Sequence, residues 1–471
     1  MRHRIHPLIW ILTLAALLRW QAAGSMRSSD DLDYAMGARD LIQGKYKPES
    51  FHQLRLGVIL PAAVGFLLFG VNHTATVLWP MAASLLSIAV LYAMVLRKSS
   101  QTVATMAAFL LAVSTQHVLS GAELFPDAAF TLWILLGLYL FEREREEGRR
   151  PVFYALAGLC FYAAFATRIE ALKFAPAVVA VEAWFIRKRG VDRKAFWLPV
   201  GALAPLVLEC GFFGLVTGHP LERIREVTAV QDWSQSTGSS NMGLWPMVKS
   251  LVSPWGAFGI AFPPAVAGVL RLKRERRLGA PLFVAAYVLG SALLVAALYR
   301  LADGRFYTLV GPFVAWFAAE AIAEIPWERL RIGIAAGLAL SGVLLVHARL
   351  PADTMRAYAE LREVTSSRDV PVFSDPRTVA AMKFYYPAVR AAQYRKGMDL
   401  ETPCWLVDHA RARGIDRSMY GTDAYPGDQG TLVRSIPLTY RGLPGFMAAA
   451  GVLFRSRGVG GIEEIRVFRV P

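Results

Sequence analysis

Three carboxylates crowd into four positions of the chain, Asp30-Asp31-Leu32-Asp33, with Tyr34 directly after them. Acids this close repel one another, which raises at least one pKa and suits that group to work as a general base or a metal ligand. The residues that follow, Ala35 to Gln43, have helical periodicity and end at Gly44, a stop signal. Asp30 therefore stands where an N-cap would, with its carboxylate at the positive end of a helix. A solvated loop with an ordinary cap would read the same way, so the motif needs support from elsewhere. Glu123 and Asp127 supply a second acidic pair. Pro126 lets a helix open at Asp127, and a plain cap is again the simpler alternative. Basic groups complete the set. Arg168, Glu170 and Lys173 interrupt one apolar stretch; Arg300, Asp303 and Arg305 interrupt another, which continues through Phe306-Tyr307 to Pro312. A guanidinium makes bidentate, charge-assisted hydrogen bonds to phosphate or carboxylate. These arginines thus expect an anion, either a lipid phosphate or the acidic loops of the protein itself.

The elements that must position these groups are long apolar segments. Of the 471 residues, 55% are hydrophobic and 18% charged, whereas soluble domains average about 45–50% apolar and about 25% charged. Mean hydropathy is +0.38. The excess gathers in runs of about 17–22 residues, enough to cross a hydrocarbon core of roughly 30 Å. The first run, Pro7 to Ala23, follows Arg2 and Arg4 and reads as an uncleaved anchor rather than a signal peptide. Further candidate spans lie near 55–70, 75–96, 101–119, 125–141, 152–169, 172–186, 195–216, 252–270, 280–299, 306–323 and 330–348.

If every candidate crossed, basic connectors would fall on both sides of the membrane. If instead Leu54 to Gly70, short and interrupted by Pro61, lies along the outer interface, the conflict disappears. Arg97–Lys98, Arg143 to Arg150, Arg187 to Lys194, Arg271 to Arg277, Glu328 to Arg331 and the amino terminus all become cytoplasmic, as the positive-inside rule requires. About eleven spanning helices result, and the acidic motifs and interrupting arginines share the outer side. Residues 1–350 then form a helical transmembrane domain. Residues 351–471 form a small extracytoplasmic α/β domain, with strands at Val370–Phe373, Trp405–Val407 and Ile465–Val470 and helices at Thr378–Tyr385 and Asp408–Arg413. The net charge of +15 sits largely in the connectors, so no nucleic-acid partner is expected. Cys160, Cys210 and Cys404 stand alone, with neither a CxxC motif nor a histidine cluster.

Taken in order and on one face, these motifs resemble the GT-C superfamily of membrane glycosyltransferases. The likeness is greatest to the branch holding protein O-mannosyltransferases and the lipid A aminoarabinose transferase. The family's acidic first outer loop is matched by Asp30-Asp31-Leu32-Asp33-Tyr34, its non-crossing interface helices by Leu54 to Gly70, its second acidic position by Asp127 with Glu123 nearby, and its late Arg-aromatic…Pro element by Arg305-Phe306-Tyr307 and Pro312. Asp31 replaces a commoner Glu, and Asp33 adds a third acid. The resemblance implies a bacterial inner-membrane enzyme with a cytoplasmic amino terminus. It would move a sugar, with inversion, from a polyprenyl-phosphate donor to a lipid, glycan or protein acceptor. Asp30 would be the base, with Asp31 as its substitute. Asp127 would position substrate or, with Asp30, hold a divalent cation such as Mg or Mn. Arg305, with Arg168 and Lys173, would meet the leaving phosphate, and Tyr307, Glu123 and Tyr34 would line the substrate site. The competing classes are a secondary transporter, which should show paired broken helices with midplane charges, and a polysaccharide export or polymerisation protein without this donor chemistry.

Overall fold

The computed structural model describes residues 6–23, 30–48, 50–147, 150–174, 176, 179, 183, 186–187, 190, 193–236, 261–274, 308–348, 352–365, 370–374, 376–386, 389–393, 403–409, 431–437, 439–440 and 464–470. The chain divides into two compact units. One is Met1–Ala23 with Gly37–Val346; the other is Gly24–Met36 with His347–Pro471.

The first unit is helical. Its elements are α1 (Pro7–Ala22), the later part of α2 (Asp30–Ile42), α3 (Leu56–Phe69), α4 (His73–Lys98), α5 (Gln101–Val113), α6 (Thr115–Ser120), α7 (Pro126–Glu147), α8 (Val152–Thr167), α9 (Trp197–Thr217), α10 (Glu222–Ser236), α11 (Phe262–Arg274), α12 (Gly311–Ala323) and α13 (Glu328–Ala348). Local signals place several of the ends. Asn72 caps α4 by accepting the Ala75 N–H at 2.9 Å, so the first residue of the sequon-like Asn72-His73-Thr74 has a structural role. Ser100 does the same for α5 through Val103 at 3.3 Å. After α2, Gly44 adopts φ +67°, and the Gly44→Leu41 and Lys45→Asp40 backbone bonds close a Schellman motif. Among the described residues, His73–Lys98 and Arg193–Thr217 are long and apolar enough by themselves to cross a membrane. The candidate span at 280–299 and most of 172–186 lie outside the described residues.

The ends of the helices sort by charge. Arg97 at the end of α4 pairs with Glu146 and Glu147 of α7, each at 2.7 Å. Arg271 of α11 pairs with Glu324 after α12 at 2.8 Å, and Ser99 donates to Glu320 of α12. Arg331 at the start of α13 reaches the Ala323 carbonyl at 3.5 Å. The basic connectors thus gather at one end of the bundle, and the starts of α4 and α7 and the end of α8 lie at the other. Helix α3 has 14 residues, about 21 Å at 1.5 Å per residue. A Cβ at Gly57 would lie 2.6 Å from the Thr167 nitrogen at the end of α8, and one at Gly65 would lie 3.1 Å from the Ala75 carbonyl at the start of α4. Both of those neighbours sit at the second end, so α3 lies across the bundle end rather than along it.

The sequence reads 101–119 as one helix. The structure breaks it at Ser114 (φ −63°, ψ 122°) into α5 and α6. A kink of this kind needs a group that takes up the freed backbone, and a distant arginine supplies it, as described below.

In the second unit, β2 (Val372–Ser374), β3 (Ala391–Gln393), β4 (Cys404–His409), β5 (Thr431–Pro437) and β7 (Glu464–Val470) form a sheet in the order β3-β2-β4-β7-β5. Strand β2 runs parallel to β3 and β4, and β7 runs antiparallel to β4 and β5. Strands β1 (Ala352–Asp353) and β6 (Thr439–Tyr440) pair separately, and helices α14 (Thr354–Val364) and α15 (Pro376–Tyr385) complete the unit. A helix expected from Asp408 is instead strand through His409. Asp408 pairs opposite Arg466 and His409 opposite Ile465, and this cross-strand pairing overrides the local signal.

Small residues let the helices approach closely. A Cβ at Gly158 would lie 2.1 Å from the Leu198 carbonyl, and one at Gly201 would lie 2.0 Å from that of Ala155, so α8 and α9 cross backbone to backbone. Gly201→Val should therefore lower stability by about 1–3 kcal/mol through overpacking, read as a reduced thermal midpoint of the full chain in detergent. An unchanged midpoint would contradict the close crossing.

Candidate active site at one end of the helical bundle

Pro126 occupies the first turn of α7, so Asp127 points its carboxylate from the positive end of that helix. Asp127 is only 2% exposed. Its partner is Arg168, itself 8% exposed, whose Nη1 donates to Asp127 Oδ1. Arg168 caps α8 in an extended conformation (φ −146°, ψ 126°), which turns its side chain back toward α7. The same guanidinium straddles Glu170, with Nη2 to Oε1 at 3.2 Å and Nε to Oε2 at 3.4 Å. Its face lies over Phe130, 5.7 Å from the ring centroid. One arginine therefore joins the start of α7, the end of α8 and the 3-10 turn Ile169–Phe174.

Burial alone would raise the Glu170 carboxyl, but Arg168 and then Arg55 outweigh it and hold the group well below the usual glutamate range. Arg55 precedes α3 and lies 5.2 Å from the Phe51 ring centroid. A neighbouring buried pair, Arg223 Nη1 with Glu209 Oε1 at 3.0 Å, joins α10 to α9. Arg223 also donates to the Phe165 carbonyl near the end of α8 and stacks over the Phe165 ring at 4.5 Å. The bundle end thus carries the cations Arg55, Arg168 and Arg223 interleaved with the anions Asp127, Glu170 and Glu209.

The residues expected from the sequence fall as follows. Asp127 and Arg168 are together. Glu123 is buried four residues before Asp127, and its carbonyl accepts the Phe125 N–H at 2.7 Å. Asp30, Asp31 and Asp33 form the first turn of α2, one residue inside the helix rather than capping it. Asp31 is 1% exposed, its Oδ1 accepting the Leu32 N–H at 2.9 Å, and Tyr34 is fully buried. Asp30 to Tyr34 belong to the second compact unit, and Asp127 and Arg168 to the first. Arg305, Tyr307 and the Lys173 side chain lie outside the described residues. Sequence reading passed over Glu209 and Arg223, although an acid inside the apolar run of α9 is itself a signal, because such a charge must be paired. It also left Glu170 and Arg55 without roles, since only the fold brings them to Arg168.

The proposed cation finds little support in this donor set. Among the described residues, no group of three His, Cys, Asp or Glu could hold a metal ion. Asp127 already has a guanidinium on its carboxylate. The arrangement suits charge pairing between protein groups better than it suits a divalent ion.

The comparisons with known proteins agree with this architecture. The family described as dolichyl-phosphate-mannose-protein mannosyltransferase matches residues 58–209, a stretch holding α3 to α8, Asp127, Arg168 and Glu209. No curated protein matches the sequence. Among solved structures, ArnT from Cupriavidus metallidurans bound to undecaprenyl phosphate superimposes with a TM-score of 0.68, at 11% identity over 98% of this chain and 97% of that chain. The archaeal oligosaccharyltransferase AglB from Archaeoglobus fulgidus, in complex with an inhibitory peptide and a dolichol-phosphate, gives 0.51 at 12% identity over 82% of this chain and 64% of that chain. The apo oligosaccharyltransferase of the same organism gives 0.56 at 11% identity over 92% and 74%.

Two measurements test the site. Arg168→Met leaves the buried Asp127 without the Arg168 cation and the partly exposed Glu170 with Arg55 alone, so stability should fall by about 3–5 kcal/mol. The double variant Arg168→Met/Asp127→Asn should recover part of that loss, and strict additivity of the two single changes would deny the coupling. The depressed Glu170 pKa contributes stability that is complete above the ordinary glutamate value and is lost as pH falls through the lower folded value. Glu170→Gln should therefore be destabilised at about pH 7, and its gap to the parent should narrow steadily as pH falls below the ordinary glutamate value in thermal melts. A gap that stays constant with pH would refute the pairing.

By its architecture and its match across nearly the whole length of ArnT, the chain has the GT-C fold that its sequence motifs resemble.

Proposed function

We propose that the chain is an inverting glycosyltransferase that takes a sugar from a polyprenyl-phosphate carrier and transfers it to an envelope lipid, glycan or protein. The reading places it in the bacterial inner membrane, with the amino terminus cytoplasmic and residues 351–471 as an extracytoplasmic α/β domain. The single observation that carries it is the charged bundle end around Asp127, Arg168 and Glu170, in a fold whose relative ArnT was solved with undecaprenyl phosphate bound.

In this reading Asp30 accepts the proton of the acceptor hydroxyl. The freed oxygen forms a bond to the anomeric carbon of the sugar, while the bond from that carbon to the phosphate oxygen breaks. The electron pair leaves with the polyprenyl phosphate, and the configuration inverts. Asp31 is the alternative base, and Tyr34 and Tyr307 line the substrate site with Glu123. Arg305 and Lys173 take the charge that grows on the leaving phosphate, the electrostatic contribution that usually dominates such transfers. Arg168 is already engaged by two carboxylates, so its part at the phosphate is secondary in this reading. Its principal task here is to hold Asp127 in place.

The test is transfer of radiolabel from an undecaprenyl-phosphate sugar by the purified full chain. Asp30→Asn should reduce transfer by about 100-fold or more with expression and thermal midpoint unchanged. Retained activity would remove Asp30 as the base, and absence of transfer by the parent with every polyprenyl-phosphate donor would remove the enzyme reading.

A further inference from the structure

Arg19 of α1 is completely buried, and among the described residues no carboxylate pairs with it. A cation held inside a membrane bundle without a counter-ion is expensive, and such residues are kept where they do a task. Its hydrogen bonds identify the task. Nη1 donates to the Ala112 carbonyl at 3.1 Å and to the Ala15 carbonyl of its own helix at 2.9 Å. Nε donates to Ser84 Oγ of α4 at 2.6 Å, and Nη2 meets His117 Nδ1 of α6 at 2.9 Å. Ser84 Oγ also lies 3.1 Å from His117 Nδ1 and 3.3 Å from the His117 carbonyl.

These contacts straddle the break between α5 and α6. Ala112 lies in the last turn of α5, where carbonyls lose their helical partners, and His117 lies in the short helix beyond the break. Gly121 follows directly. A Cβ there would come within 2.6 Å of Ser84 Cβ and 3.1 Å of Arg19 Nε, so the chain after α6 rests on the cluster itself. Two residues later comes Glu123, and then Pro126 and Asp127. Ser120 meets Thr308 at 3.2 Å and steadies the turn from the side of α12.

We infer that Arg19, with Ser84 and His117, is a positioning clamp that sets the α5–α6 break and thereby the placement of the acidic turn from Glu123 to Asp127. The inference rests on the transferase reading for its consequence in turnover, but its structural half stands without it. Arg19 touches neither Asp127 nor any substrate group. It acts through the backbone of residues 112–121.

The test compares the full chain with Arg19→Met and Arg19→Lys in nanodiscs by three readouts: hydrogen exchange, binding of undecaprenyl phosphate, and turnover of a polyprenyl-phosphate sugar that the parent uses. In Arg19→Met, exchange should rise in peptides covering 113–127 and stay unchanged in the rest of α7 and in α8. Turnover should drop about tenfold or more, while undecaprenyl phosphate affinity stays the same. Arg19→Lys keeps the charge but not the fork, so it should restore part of the protection and part of the turnover. Unchanged exchange at 113–127, or a rise spread evenly over the whole bundle, would overturn the clamp. If Arg19→Met does not fold, Ser84→Ala removes one contact and should reproduce the local exchange pattern; its absence would equally overturn the proposal. A parent without turnover would defeat the transferase reading while leaving the exchange comparison to decide the clamp.

Discussion

The buried guanidinium of Arg168 is the constraint on which the bundle end depends. Taking a carboxylate or guanidinium out of water costs several kcal/mol per ion even after relaxation, and the cost is met only when geometry and hydrogen bonds are good. Arg168 donates to Asp127 with one nitrogen and to Glu170 with two others. The interaction ties three chain segments that nothing local would hold together: the first turn of α7, the last residue of α8 and the 3-10 turn beyond. With Arg55 acting on Glu170, the charges at this point balance. Removing one member strands the others.

The two ends of the bundle use charge differently. At the connector end, Arg97, Lys98, Glu146 and Glu147 are partly exposed, and such pairs contribute little because water and salt screen them. Their value is in sorting the connectors to one side. At the other end, Asp127, Arg168, Glu209 and Arg223 are all buried, where each charge strongly affects its neighbours. Backbone-to-backbone crossings such as Gly158 with Gly201 bring α8 and α9 together in the half of the bundle nearer the connectors. Polar groups that are costly to keep mark the end where function is to be sought.

Much of this was legible in the sequence. Apolar runs and connector charge marked the helices and their common end. Pro61 and the short run around it marked α3 as the helix that does not run along the bundle, because parity of the basic loops depends on it. Gly44 stopped α2 because a positive φ favours glycine. What was not legible depended on partners remote in the chain. The break at Ser114 is held by an arginine 93 residues before Ala112, and no window of sequence contains both. Glu209, an acid inside an apolar run, called for a partner, but only the fold shows that the partner is Arg223. Strands β3 and β5 were missed because three residues carry no period, and β5 contains a register shift between Leu432 and Arg434. Asp408 and His409 were drawn into β4 by their partners in β7.

The pairing of Arg168 also divides the work among the acids. Asp127, already accepting the Arg168 guanidinium, is suited to fixing geometry, which leaves the first acidic motif for the proposed base. There, Asp30, Asp31 and Asp33 share the opening turn of one helix. Asp31, 1% exposed and turned onto the Leu32 amide, is the less accessible of the first two. Asp30, half-buried at the very start of the helix, keeps the better approach to a hydroxyl. Within the proposed reading, this difference in burial favours Asp30 over Asp31 as the base.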